Sequence, residues 1–168
     1  MILLDTNVVS EPLLPRPDRR VLGWLDAQAA ETLYLSTVRL AELLFGVENL
    51  PAGKRRKALA FSLQERIMAL FGERIVPFDL AAAKAYAKIV VRARRRGHPL
   101  SVADAQIAAI AAARRFSVAT RDEAPFIAAG VPVINPWTVG GAPSALRRLP
   151  PEGFVFSNHS PLATRHCS

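Results

Sequence analysis

Five short apolar runs, each next to a stretch of helical periodicity, constrain this chain more than any other feature of its sequence. Ile2-Leu3-Leu4 stops at Asp5, and Leu33-Tyr34-Leu35 stops at Ser36. Residues 74–78, Phe116-Ser117-Val118-Ala119 and Val131-Pro132-Val133-Ile134 have the same form. Runs this short and this apolar suit strands buried on both faces, the usual state of parallel strands joined by helical crossovers. Their alternation with helices predicts an α/β fold, a central, largely parallel sheet flanked by helices.

The intervening segments carry their own punctuation. Pro12, Pro15 and Pro17 break the chain before a helix that starts at Asp18, with Val21, Leu22 and Leu25 inward. Ser36 is a candidate N-cap for a helix to about residue 49, ended by Pro51 and Gly53. An amphipathic helix over 54–71, an alanine-rich one over 80–96 closed by Gly97, and another over 101–115 follow. From about Val139 the chain changes character, with Gly140-Gly141, Pro143, Pro150-Pro151 and Pro161 in quick succession. Residues 1–138 therefore read as one domain and 139–168 as a flexible tail.

Bulk composition narrows the function classes. With 168 residues, 51% of them hydrophobic, the chain is long enough for one real core. A formal charge of +8 favours polyanionic partners, nucleic acid foremost. Cys167 stands alone, which excludes an intrachain disulfide, and His98, His159 and His166 lack the spacing of a zinc site. The first residues have no secretory pattern and no run reaches the length of a membrane span, so a soluble, cytoplasmic protein without a membrane partner is expected.

Four acids fall where chemistry concentrates in such folds. Ligands of open α/β sheets gather at the carboxyl ends of the strands, where Asp5 and Asp122 lie. Each of these two also suits an Asx-turn or a helix cap. Glu42 shares a helical stripe with Val38, Ala41 and Phe45, while Leu40, Leu43, Leu44 and Val47 cover much of the same helix. A carboxylate so surrounded needs a cation, and Arg39 is a candidate partner as well as a metal. Asp104 lies three residues after Ser101, as in a capping box, and opens a helix whose alanines suit close internal packing. If the four converge, their mutual repulsion calls for a divalent cation, and carboxylates without histidine or thiolate suit Mg²⁺ or Mn²⁺. Metal-assisted phosphodiester hydrolysis is the reaction that follows from such a site.

At these residues the chain resembles a known family. Ile2-Leu3-Leu4-Asp5-Thr6-Asn7, Ala41-Glu42-Leu43 with Gly46, Asp104-Ala105-Gln106-Ile107-Ala108-Ala109 and Thr120-Arg121-Asp122 look like the signature of PIN-domain nucleases. Their order is most similar to the bacterial VapC and FitB-like toxins of type II toxin–antitoxin systems. The resemblance spans roughly residues 1–138, through Asn135-Pro136-Trp137. It implies a three-layer PIN fold, a homodimer, Mg²⁺- or Mn²⁺-dependent cleavage of RNA, and inhibition by a cognate antitoxin, in assemblies that can go beyond the dimer. By position it assigns Asp5, Glu42, Asp104 and Asp122 as the catalytic, metal-binding quartet, with Thr6, Asn7 and Thr120 as supporting polar groups.

Two basic runs, Lys54-Arg55-Arg56-Lys57 and Arg92 with Arg94-Arg95-Arg96, suit phosphate anchoring or ordinary solvated helix ends. A binding module of the same fold, with the acids serving as caps and ion-pair members, is the rival reading. A phosphatase with Asp5 as nucleophile ranks below it, since position 7 is Asn7 where such enzymes usually keep a second aspartate.

Overall fold

Every strand pairing among the described residues is parallel. The computed structural model describes residues 1–139. The strands are β1 (Ile2–Leu4), β2 (Leu33–Ser36), β3 (Ile75–Val76), β4 (Ser117–Ala119) and β5 (Val133–Ile134). They form one sheet in the order β3-β2-β1-β4-β5, with Ile2 aligned to Leu33 on one side and to Ser117 on the other. The first strand in sequence is thus the central one. The helices are α1 (Thr6–Ser10), α2 (Arg19–Asp26), α3 (Thr37–Glu48), α4 (Lys54–Phe71), α5 (Leu80–Arg95), α6 (Val102–Arg114) and α7 (Ala124–Ala129).

Alternation along the strands divides the interior into two cores. Leu3 and Val118 point into a layer made with Ala82 and Ile89 of α5, Ile107 and Ile110 of α6, and Phe126 of α7. Ile2, Leu4, Leu35 and Ala119 face the opposite layer, with Val8, Val21, Val47, Leu63, Ile67, Phe71 and Trp137. Burial of both sheet faces explains why the strands are apolar throughout. The expected sheet flanked by helices is therefore present, in three layers.

The caps expected from the sequence are made. Side chains of Asp18 and Ser36 accept from the N–H groups of Arg20 and Arg39. Ser101 accepts likewise from Asp104, and Asp79, a cap the sequence reading did not single out, accepts from Ala82. Ala108 and Ala109 of α6 are fully buried, and small side chains there let α5 and α6 pack closely.

Some expectations need correction. The strand expected over 74–78 shrinks to two residues, because Gly72–Arg74 form a 3₁₀ turn before it and Pro77 follows it. Two short helices, α1 and α7, stand where the sequence suggested only connections. Helix α4 buries Leu63, Ile67 and Phe71, but Phe61 and Met68 are exposed, so its apolar residues are not confined to one stripe. The expected tail over 139–168, with His159, His166 and Cys167, lies beyond Val139 outside the described residues.

Candidate active site

The site begins where β1 and β4 end side by side. The Asp5 N–H donates to the Ala119 carbonyl at 2.9 Å, extending the strand pairing by one residue. Asp5 then caps α1, its Oδ1 accepting from the Thr6 N–H at 2.6 Å. Its Oδ2 accepts from the hydroxyl of Thr120 at 2.5 Å and from Asn7 Nδ2 at 3.1 Å. The Thr120 hydroxyl also accepts from Asn7 Nδ2 at 3.2 Å and from the Asp122 N–H at 3.0 Å. One hydroxyl thus uses its single donor and both acceptor positions, all within a site where Asp5 and Thr120 are buried.

Arg39 organises the other side. It lies on α3, buried, and its guanidinium meets three carboxylates at once. Nη1 bonds Glu42 Oε2 at 2.6 Å, Nη2 bonds Asp104 Oδ1 at 3.0 Å, and Nε stands 2.7 Å from Asp5 Oδ1. The Nε contact is close but misaligned, so this N–H has a neighbouring charge and no hydrogen-bond acceptor. Burial works to lower the Arg39 pKa, and the charges of Asp5, Glu42 and Asp104 outweigh it, leaving the group above its ordinary value. Arg39 is a permanent cation here.

Glu42 and Asp104 are held from a second direction as well. The Thr6 hydroxyl donates to Glu42 Oε2 at 3.2 Å. Asp104 Oδ2 accepts from the Ser101 hydroxyl at 2.7 Å, while its N–H donates to that same oxygen at 3.1 Å. The capping box is therefore closed on the cap's hydroxyl rather than on its N–H. An open cavity of about 460 Å³ lies beside Glu42, lined by Val38, Ala41 and Phe45 of α3 and Ala103 and Gln106 of α6.

Three of the four expected acids, Asp5, Glu42 and Asp104, gather around one guanidinium, each at a different nitrogen. Asp122 does not join them there. It is exposed, tied to Asp5 only through its backbone and Thr120, and among the described residues its carboxylate forms no ion pair. The setting of Glu42 also differs from expectation. Its side chain is 37% exposed, and Phe45 and Leu44 of the supposed apolar ring are exposed too.

The donor set consists of carboxylate oxygens, which suits a hard divalent cation. As they stand, no three His, Cys, Asp or Glu side chains among the described residues are close enough to share an ion. The cation they surround is the Arg39 guanidinium, and its buried, unsatisfied Nε–H marks an imperfect fit.

Comparison with known proteins decides the family. The family model described as PIN domain matches residues 2–131. The chain is a PIN-domain protein. The PIN domain is 50% identical over 137 residues to the VapC ribonuclease Y4jK of Sinorhizobium fredii, covering 82% of this chain and 98% of that one. It is 48% identical to Toxin FitB of Neisseria gonorrhoeae, covering 82% of this chain and 99% of the toxin. The crystal structure of FitAcB from Neisseria gonorrhoeae superposes with a TM-score of 0.79 at 47% identity, over 83% of this chain and 100% of that one.

Within this PIN domain the residue that sequence reasoning undervalued is Arg39, taken there only as a partner for Glu42. The signal was present. Arg39, Leu43 and Val47 form an i, i+4, i+8 stripe, and a charged residue on a buried stripe needs compensation. The basic runs divide. Arg92 donates to the Ala129 carbonyl at the end of α7, and Arg56 bonds the Glu48 carbonyl, while Lys54, Lys57, Arg94, Arg95 and Arg96 are exposed. Among the described residues no helix is long and apolar enough to cross a membrane.

Proposed function

We propose that this chain is a metal-dependent endoribonuclease and the toxin of a toxin–antitoxin module, neutralised by a cognate antitoxin. The observation that carries the proposal is the convergence of Asp5, Glu42 and Asp104, from three separate elements, on a single cation position. The resemblance to proteins named VapC ribonuclease and Toxin FitB supports the chemistry and the partner.

Asp5, Glu42 and Asp104 would hold Mg²⁺ or Mn²⁺, with Asp122 adding a further carboxylate from the rim. The bound ion supplies activation of water and neutralisation of charge developing on the phosphodiester. The chain's own part is positioning. Thr120 and Asn7 fix one oxygen of Asp5, Thr6 holds Glu42, and Ser101 holds Asp104, so the donors are set by hydrogen bonds rather than by mutual repulsion. The cavity beside Glu42 gives RNA a place to lie, and exposed arginines such as Arg94 and Arg95 offer sequence-independent phosphate contacts. A homodimer, joined into a larger assembly by the antitoxin, and a cytoplasmic location complete the proposal.

A mixed, labelled RNA pool incubated with purified, antitoxin-free protein tests it. Cutting with Mg²⁺ or Mn²⁺ and none with EDTA supports the nuclease. The ion pairs of Arg39 and the closed cap of Asp104 favour one rival, a binding module in which the acids are structural. RNA retained without cutting in the presence of metal would establish that rival instead.

A further inference from the structure

Three carboxylates around a metal and three carboxylates around a guanidinium are different arrangements. Oxygens that share Mg²⁺ sit about 2.0–2.1 Å from one centre and so close in on each other. In this protein each carboxylate instead meets a different nitrogen of Arg39, and the planar group keeps the three apart. The oxygens concerned are also the ones already used. Asp5 Oδ1 faces Nε, Glu42 Oε2 accepts from Nη1, and Asp104 Oδ1 accepts from Nη2.

The geometry points to Arg39 as a built-in counter-ion that occupies the acidic site and has to leave before Asp5, Glu42 and Asp104 can hold a divalent cation. The inference rests on the proposed metal site and goes beyond it by assigning a second, metal-free state to the same residues. Two features support it. The side chain is nine-tenths buried, yet its Nε–H has no acceptor, so the guanidinium is held by charge and not by a full set of hydrogen bonds. Its partner Glu42 is the most exposed of the three, which leaves a way out past α3 into the cavity beside Glu42. A metal site so guarded fills only when the free cation is abundant enough to displace an internal competitor.

The test is direct binding of Mn²⁺, followed by calorimetry, to the full-length protein and to Arg39→Gln and Arg39→Lys, each first checked for a cooperative thermal melt. Displacement predicts that Arg39→Gln binds Mn²⁺ at least roughly tenfold more tightly than wild type. Arg39→Lys, which keeps the charge but loses the three-way fork, should also bind more tightly. Guanidinium ion at non-denaturing concentration should weaken Mn²⁺ binding to Arg39→Gln competitively. Tighter binding in Arg39→Gln with wild-type binding in Arg39→Lys would reduce the effect to general charge and overturn displacement. Equal or weaker binding in Arg39→Gln would overturn it too, leaving the metal site itself standing. No Mn²⁺ bound by any of the three proteins would overturn the metal site and this inference together.

Discussion

The hydroxyl of Thr120 donates to Asp5 Oδ2 at 2.5 Å, joining residues 115 positions apart at the ends of neighbouring parallel strands. The bond lies in a buried setting and fixes which oxygen of Asp5 faces Arg39. Thr120→Val keeps the shape and removes the donor, leaving a buried carboxylate oxygen with one partner fewer. A loss of about 1–3 kcal/mol in urea unfolding is expected, with Thr120→Ser close to wild type. Equal midpoints for valine and wild type would remove the bond from the account.

Packing gives a paired prediction on stability. Leu44 is a candidate core residue from the helical pattern alone, but it is 37% exposed on α3, whereas Ile107 of α6 is fully buried beneath the sheet. Leu44→Ala should cost less than about 1 kcal/mol. Ile107→Ala should cost about 2–5 kcal/mol. Denaturant midpoints that reversed this order would contradict the placement of both helices.

Gly130 ends α7 with φ +73, and a Cβ there would come within 2.7 Å of Arg92 Nη2, the group that bonds the neighbouring Ala129 carbonyl. Gly130→Ala therefore combines left-handed strain with displacement of Arg92. Destabilisation of about 1–2 kcal/mol is expected in thermal or urea unfolding, chiefly from the strain, since the Arg92 guanidinium is the movable end of a long side chain. An alanine variant as stable as wild type would place the turn elsewhere.

Acid should weaken the α5–α6 hairpin in a defined direction. The Ala82 N–H holds the Asp79 carboxylate below its ordinary value, and Arg114 adds to this against the opposing effect of burial. A lowered carboxyl pKa contributes stability that is present above the ordinary value and lost as pH falls through the lowered one. Stability should thus decline on the acid side of about 3.8, and Asp79→Asn should flatten that part of the profile. Wild type should exceed Asp79→Asn by a constant margin between neutral pH and that range, and the two profiles should converge below it. An unchanged acid limb would refute the role of Asp79.

How far the sequence carried the fold and the site follows from particular residues. Strands β1, β2, β4 and β5 were legible because apolar runs bounded by polar residues leave few other readings. Helices capped by Asp18, Ser36 and Ser101 carry local side-chain signals that survive folding. Helices α1 and α7 were not legible, since five or six residues hold too little periodicity and each depends on tertiary contacts. On α3 periodicity gave the spacing but not the face. Apolar residues occupy two stripes, and the sheet selected Leu43 and Val47 together with Arg39, leaving Phe45 70% exposed. The acids were legible as a group, but which of them share a cation depends on how α3 and α6 approach the end of β1. That is why Arg39 gained three partners and Asp122 remained at the rim.

The most direct test of the central claim compares RNA cleavage by wild type and Asp5→Asn at saturating Mn²⁺, in preparations matched for thermal melting. Asparagine keeps the size of Asp5 and an oxygen for the Thr120 hydroxyl, while removing the charge at the position all the other groups support. The expected result is a folded variant whose cleavage falls by more than about 100-fold. A folded Asp5→Asn variant that cuts RNA at the wild-type rate would contradict it.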